Sequence, residues 1–231
     1  MIEPYFQTEN GKLFHADSFD IMREMATYSI DLIVTDPPYG IGENNKQNLT
    51  RGGGPAGMFS GKAKPKDYGD YQWDKKPLER KYFYEMLRVA VNQIIFGGNY
   101  YTNFLNNSSC WVVWDKDNGE NDFADCELAW TSFKTATRKI KWRWNGCLQE
   151  DMGNKEKRQY PTQKPLPVIQ WCINKYSKPD DIILDPFCGS GTTAVACEIT
   201  KHKWIAIDKR KEACQIAKQR ILKETRQLTI T

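Results

Sequence analysis

The stretch Ile183-Leu184-Asp185-Pro186-Phe187-Cys188-Gly189-Ser190-Gly191-Thr192-Thr193 decides how this chain of 231 residues is read. An apolar run enters a glycine turn, and a helical pattern follows from about Thr192 to Thr200. Trp204-Ile205-Ala206-Ile207-Asp208 then returns as a second apolar run that ends in an acid. Strand, glycine turn, helix, strand is the repeating unit of an open parallel sheet. Gly189 and Gly191 let a backbone come close to a ligand, and Asp208, about 20 residues further on, is placed to hold ribose hydroxyls. The alternative is a turn that merely joins a strand to a helix.

Outward from this unit the same rhythm continues. Asp31–Thr35, Gln93–Phe96, Cys110–Trp114 and Asp181–Leu184 read as buried strands beside Trp204–Ile207. Helices are expected from about Ser18 to Ala26, with Asp17 and Ser18 as caps, and from beyond Pro77 to about Ala90. Others are expected from Pro165 to about Tyr176, over Thr192–Thr200, and over Arg210–Lys223. The alternation predicts an α/β protein with a mostly parallel sheet.

Composition narrows the function classes. Hydrophobic residues make up 40% and charged residues 27%, an ordinary globular balance that suits one large core. Trp111, Trp114, Trp130 and Tyr82 fall in apolar patterns and are expected in that core. Lysine and arginine number 33 against 29 acids, and the resulting +4 permits an anionic partner without requiring one. Met1–Gln7 has no basic start followed by an apolar stretch, and no apolar run approaches the roughly 18 residues of a membrane span. The expectation is a cytoplasmic protein with no membrane association. Seven scattered cysteines suggest neither a disulfide framework nor a zinc site, and His15 and His202 are too few for histidine-based metal centres or nucleophiles. No metal is expected.

The missing third glycine has a consequence. Thr192, Thr193 and Ala194 stand where a dinucleotide fingerprint continues, which disfavours a pyrophosphate and favours a nucleoside cofactor without one. S-adenosylmethionine meets that condition.

A second segment carries chemistry. Ile33-Val34-Thr35-Asp36-Pro37-Pro38-Tyr39-Gly40 leaves a buried strand at its carboxyl end, where open α/β sheets bind ligands. An exocyclic amine of a nucleobase is a poor nucleophile because its lone pair is delocalised into the ring. Acceptors that take its hydrogens restore that pair. Asp36 supplies a carboxylate, the Pro37 carbonyl in a chain stiffened by Pro38 supplies a second acceptor, and Tyr39 offers a ring for stacking. Such a site works only on a base taken out of the duplex.

Together, Asp36-Pro37-Pro38-Tyr39 and Phe187-Cys188-Gly189-Ser190-Gly191 resemble the S-adenosylmethionine-dependent amino-methyltransferases of DNA. The order, catalytic motif before cofactor motif, resembles their β group, and Phe96–Tyr101 and Trp114-Asp115-Lys116 look like segments of its phage and prophage members. The resemblance implies a permuted, doubly wound methyltransferase fold with a seven-stranded, mostly parallel sheet. It also implies a cofactor site of Asp17, Asp36, Thr162, Gln163, Lys164, Asp185, Phe187, Cys188, Gly189, Ser190, Gly191, Thr192 and Asp208. Tyr160 stands where the family often has histidine. The Asp-Pro-Pro-Tyr form resembles adenine N6 enzymes more than cytosine N4 enzymes; cytosine N4 and RNA adenine N6 remain the alternatives. Carbon-5 transfer would need a nucleophilic cysteine, usually after proline, and the chain has no Pro-Cys pair. Dimerisation is implied only by the group, and DNA is the implied partner.

Two polar, basic segments break the rhythm of a single domain spanning 1–231. Residues 41–76 read as a mobile insertion after the catalytic motif, with Arg51 as a candidate phosphate contact. Residues 138–163 read as a short target-recognition insertion. There Lys139-Ile140-Lys141-Trp142-Arg143-Trp144 alternates cationic and apolar faces, and Lys155, Lys157 and Arg158 follow as further candidate DNA contacts. The plainer alternative for the alternating run is a solvated edge strand.

Overall fold

The structure is a computed structural model that describes residues 2–40, 77–118, 124–145, 148–159 and 162–230. The candidate insertion 41–76, with Arg51, lies outside them.

The strands are β1 (Phe6–Gln7), β2 (Gly11–His15), β3 (Ile30–Thr35), β4 (Ala90–Phe96), β5 (Trp111–Asp115), β6 (Cys126–Thr131), β7 (Arg138–Lys141), β8 (Trp144–Asn145), β9 (Leu148–Gln149), β10 (Ile182–Asp185) and β11 (Lys203–Asp208). The helices are α1 (Ser18–Glu24), α2 (Arg80–Val89), α3 (Leu166–Tyr176), α4 (Thr192–Thr200) and α5 (Lys211–Ile230). One sheet runs β1-β2-β11-β10-β3-β4-β6-β5-β7, and β8 and β9 form a separate small hairpin. The expected seven strands are therefore nine among the described residues. Two short edge strands, β1 antiparallel on β2 and β7 parallel on β5, flank the seven between them. β1, two residues long, carries too little apolar pattern to announce itself, whereas β7 is the edge strand that the alternating run from Lys139 offered as its plainer reading.

Inside those edges the sheet is parallel except for β6, which pairs antiparallel with both β4 and β5. Alternating residues of each strand feed opposite faces. Leu32, Val34, Ile94, Phe96, Ile183 and Ala206 pack under α3, α4 and α5, in one core with Val168, Cys172, Val195 and Ala217. Ile33, Ile95, Leu184 and Ile207 turn the other way, against Ile21 and Met22 of α1 and Phe83 and Met86 of α2. Helices on both faces make the sheet doubly wound, as the sequence implied.

The chain moves from β3 through α2 to β4 on one side, and from β10 through α4 to β11 on the other. β10 and β3 are neighbours, in parallel register at Ile183–Leu32 and Leu184–Ile33. The crossovers therefore diverge between these two strands, leaving a crevice at their carboxyl ends. Asp36 follows the end of β3 and Asp185 ends β10, so both segments singled out from the sequence empty into that crevice.

Candidate active site

The crevice is an open cleft lined by Asp17, Ser18, Thr35, Asp36, Pro38, Leu78, Tyr82, Phe96, Thr162, Gln163, Lys164, Ile169, Asp185–Ser190, Thr192, Thr193 and Asp208–Arg210. Its mixture of apolar walls with a few polar groups suits a small organic ligand. A hydrogen bond joins its two halves: buried Thr35 donates its hydroxyl to Asp185 Oδ1 at 2.7 Å, although 150 positions separate them.

At the glycine turn, Gly189 and Gly191 have φ of +51° and +76°, a left-handed backbone that side chains disfavour. Gly191 caps α4, receiving Val195 N–H on its carbonyl at 2.9 Å and giving its own N–H to the Cys188 carbonyl at 2.7 Å. A Cβ at Gly191 would meet Ala217 Cβ of α5 at 2.7 Å. The bare Cα of Gly191 thus lets α5 pack against the turn, and a valine there would strike α5. Gly189 does face the cleft, and its N–H donates to Asp208 Oδ2 at 3.0 Å.

Asp208 sits at the end of β11, nearly fully buried. It also takes the Arg210 N–H and guanidinium at 2.8–2.9 Å. Burial outweighs those donors and pushes its carboxyl up to about 7. Asp185 is pushed up to about 6 for the same reason, with the Thr35 and Thr193 hydroxyls pulling the other way. Cys188 is buried and its thiol lies well above the ordinary value, which fits a packed residue and not a nucleophile. On the other rim Asp17 caps α1 by accepting Phe19 N–H at 2.9 Å, and it accepts the Tyr82 hydroxyl at 3.0 Å on each oxygen. The Tyr82 ring meets Phe187 edge-on at 5.7 Å. Tyr82, Trp114 and Trp130 are buried in the core as their apolar surroundings imply; Trp111 is only partly so.

The catalytic motif presents a tight polar knot. Asp36 accepts the Tyr39 hydroxyl on Oδ1 and Lys164 Nζ on Oδ2, the latter at 2.5 Å. Lys164 also reaches Glu127 Oε2 at 3.2 Å, and Glu127 Oε1 pairs with Lys116 at 2.7 Å. Burial lifts the Asp36 carboxyl, against the pull of Lys164. Burial opposes ionisation of Glu127 as well, yet its two lysines outweigh it and hold it at about 2. Tyr101 donates to the Pro38 carbonyl, fixing the turn. Tyr39 stacks on Tyr100 at 4.9 Å between ring centres. Gly97, at φ +66°, lies so close that a Cβ would come within 2.1 Å of the Tyr39 ring.

Sequence reasoning missed Glu127 and Arg220 and gave no role to Lys116 and Tyr101, which lie in two segments it had noted. Arg220 NH1 donates at 2.9 Å to the Ser190 carbonyl and hydroxyl and to Thr192, while its NH2 pairs with Glu156. None of these was singled out by a short motif with a role of its own. Only β6 running antiparallel delivers Glu127, near its first residue, to the edge where β3 and β5 end. Gln163 and Lys164 line the cleft, but the Gln163 amide is engaged by Glu156 and the Gln159 N–H, and Lys164 is turned toward carboxylates.

The cationic face of the alternating run is exposed as expected, on β7 at the sheet edge. Lys139 pairs with Asp115 at 3.2 Å, Lys141 with Asp117 at 2.9 Å, and Arg143 with Asp117. Lys155 and Lys157 are exposed, and Arg158 lies 5.4 Å over the Trp144 ring.

A doubly wound sheet, a glycine turn ending in a helix, an acid at the next strand end and an acid-proline-proline-tyrosine turn in one cleft define an S-adenosylmethionine-dependent methyltransferase. The chain belongs to the DNA methylase family N6_N4_Mtase, whose model matches residues 100–219. That match contains Thr162–Lys164, the glycine turn and Asp208, while Asp36 lies before it. The chain is similar, at 28% identity over 96% of its length and 93% of the relative, to the type II methyltransferase M2.LlaDCHI of Lactococcus lactis subsp. cremoris. It is 27% identical, with the same coverage, to the type II methyltransferase M2.DpnII of Streptococcus pneumoniae. Among solved structures, the M1.HpyAVI–SAM complex superposes with TM-score 0.53 at 24% identity, over 91% of this chain and 99% of that one. The PvuII cytosine-N4-specific DNA methyltransferase reaches 0.61 at 16% identity, over 97% of this chain and 93% of that one. The protein is a DNA methyltransferase that uses S-adenosylmethionine. No helix among the described residues is long and apolar enough to cross a membrane.

The residues present fit that cofactor. Asp208 and Asp17 offer carboxylate oxygens suited to sugar hydroxyls and an adenine amine, and Phe187 and Tyr82 offer apolar rings along the same cleft.

Proposed function

We propose that the protein methylates N6 of an adenine extruded from DNA, with Asp36 as the residue on which transfer depends. The observation that carries this reading is that Asp36 and the Gly189 turn line one cleft. Adenine is favoured over cytosine N4 by the carboxylate at position 36.

S-adenosylmethionine, when bound, supplies an electrophilic sulfonium methyl for direct in-line transfer, with no covalent enzyme intermediate. Asp185, Phe187, Cys188, Gly189, Ser190, Thr192 and Asp208 would hold it on one side, and Asp17, Thr162 and Gln163 on the other. Asp36 and the Pro37 carbonyl accept the two amine hydrogens, which turns the nitrogen lone pair out of the ring. The positive charge that develops on nitrogen falls beside the Asp36 carboxylate in a partly buried site, where it counts most. Burial lifts Asp36, making it a better acceptor for the proton that the methylated amine sheds. Tyr39, held by Gly97 and Tyr101, stiffens the turn and offers the base an aromatic wall.

Recognition is assigned to the 138–163 region, where Lys139, Lys141, Arg143, Lys155, Lys157 and Arg158 would meet phosphates, and to Arg51 in the 41–76 insertion. A cytoplasmic location and a homodimer complete the reading.

Asp36→Ala should abolish methyl transfer into DNA while cofactor binding stays measurable by calorimetry, though weaker. Wild-type turnover in that variant would overturn the assignment. Sequencing of methylated DNA at base resolution reports the base, its position and its context, and a methylcytosine signal would favour the N4 alternative.

A further inference from the structure

Glu127 and Lys116 stand apart from the catalytic and cofactor turns, yet they continue the polar knot at Asp36. Lys164 Nζ bridges two carboxylates, Asp36 at 2.5 Å and Glu127 at 3.2 Å, and Lys116 backs Glu127 at 2.7 Å. The Lys164 side chain is only 10% exposed, so solvent does little to screen it. In the free protein its ammonium therefore holds one of the two oxygens that the target amine needs. A fixed cation there would also oppose the positive charge that grows on the attacking nitrogen.

We propose that Glu127 is a positioning residue for methyl transfer: it acts as the counter-station to which Lys164 withdraws when the target amine takes its place on Asp36. The proposal rests on Asp36 being the acceptor in the reaction. Its geometry is one cation held between two acids, with unequal distances that a small displacement of Nζ reverses. Lys116 stabilises the Glu127 carboxylate during the exchange, and its own ammonium sits 5.1 Å over the Trp114 ring. Lys164 thereby keeps the acid ionised and oriented before the base arrives, and leaves it free afterwards.

The charged and titratable groups facing Asp36 are Lys164 from the segment before α3, Tyr39 from its own turn, Glu127 from β6 and Asp185 from β10. Removing the Glu127 charge leaves Lys164 with Asp36 alone. That deepens their pairing and also removes a negative charge that lifts the Asp36 carboxyl. Both effects move ionisation of Asp36 to lower pH.

The test compares single-turnover methyl transfer from tritiated S-adenosylmethionine to DNA across pH for the wild type, Glu127→Gln, Lys164→Met and the double variant. Glu127→Gln should lower the transfer rate about tenfold or more, while the KM for DNA and the Kd for the cofactor stay within about threefold. Its acid limb should move to lower pH, a readout that a merely structural role would leave alone. Because Glu127 acts through Lys164, adding Glu127→Gln to Lys164→Met should cost little beyond Lys164→Met itself. Glu127→Asp should recover part of the rate. If Glu127→Gln does not fold, Glu127→Gln with Lys116→Gln removes one charge of each sign and should show the same limb shift. An unshifted limb with a wild-type rate, or fully additive losses, would overturn the proposal. Asp36→Asn, measured alongside, separates the two ideas: if it retains transfer, the reading of Asp36 has failed, and if it is inactive while Glu127→Gln is unaffected, only the counter-station has failed.

Discussion

Asp208 shows how one side chain couples stability to binding. Its carboxyl is ordinarily near 3.8 and is raised to about 7 by burial, so between those values the folded protein holds a proton that the unfolded chain has released. Folding stability contributed by this group is fully present below about pH 4 and falls as pH rises toward 7, by up to about 4 kcal/mol. Asp208→Asn should flatten that part of the pH dependence, measured by urea unfolding at several pH values. The same variant should weaken cofactor binding at least tenfold, since the amide offers one acceptor oxygen in place of two. A ligand carrying two sugar hydroxyls therefore answers an electrostatic cost already present in the folded protein.

Helix α1 and strand β7 show what an element contributes to the cleft. Asp17 serves α1 as a cap and the cleft as a carboxylate, and the two roles separate by substitution. Asp17→Asn keeps a good cap and should leave the thermal midpoint nearly unchanged while weakening cofactor binding. Asp17→Ala should also cost about 1 kcal/mol in stability. On β7 and just beyond it the cations are already paired with Asp115 and Asp117, and exposed pairs of this kind add little to stability. Replacing Lys139, Lys141 and Arg143 together by alanine should thus leave unfolding almost unchanged. The dependence of DNA affinity on salt should flatten, with the slope of log Kd against log salt falling by roughly 0.9 for each phosphate that these cations neutralise in the wild type.

In the whole fold, the link that unites the two motifs is the Thr35–Asp185 hydrogen bond across the divergence of the crossovers. Thr35→Val removes the donor and leaves a buried carboxylate short of a partner. It should cost about 1–3 kcal/mol in urea unfolding and lower both cofactor affinity and transfer.

Much of this is legible in the chain itself. The span Thr192–Thr200 agrees with the sequence pattern because Gly191 marks its start and the apolar run from Trp204 bounds its end, while the turn that closes it on left-handed Lys201 has no local signal. Asp36, Asp185 and Asp208 stand out because strand ends in parallel sheets are recognisable from short apolar runs followed by an acid or glycine. The edge strand β1 does not, since two residues carry little periodicity, whereas β7 is legible in the alternation that begins at Lys139. At Gly191 the glycine is legible as a turn residue, but only the packing of α5 shows that an added Cβ would meet Ala217.

Composition and local pattern determined the α/β class, the helices, the two chemical turns and the scarcity of histidine, because each rests on residues close together in the chain or on their bare number. Tertiary structure alone decided that β3 and β10 lie side by side, that the antiparallel β6 brings Glu127 to Lys164, and that Arg220 ties the glycine turn to Glu156. Those pairings join residues tens to well over a hundred positions apart. Which long-range pairs meet is set by the order in which strands enter the sheet, and no local preference encodes that order.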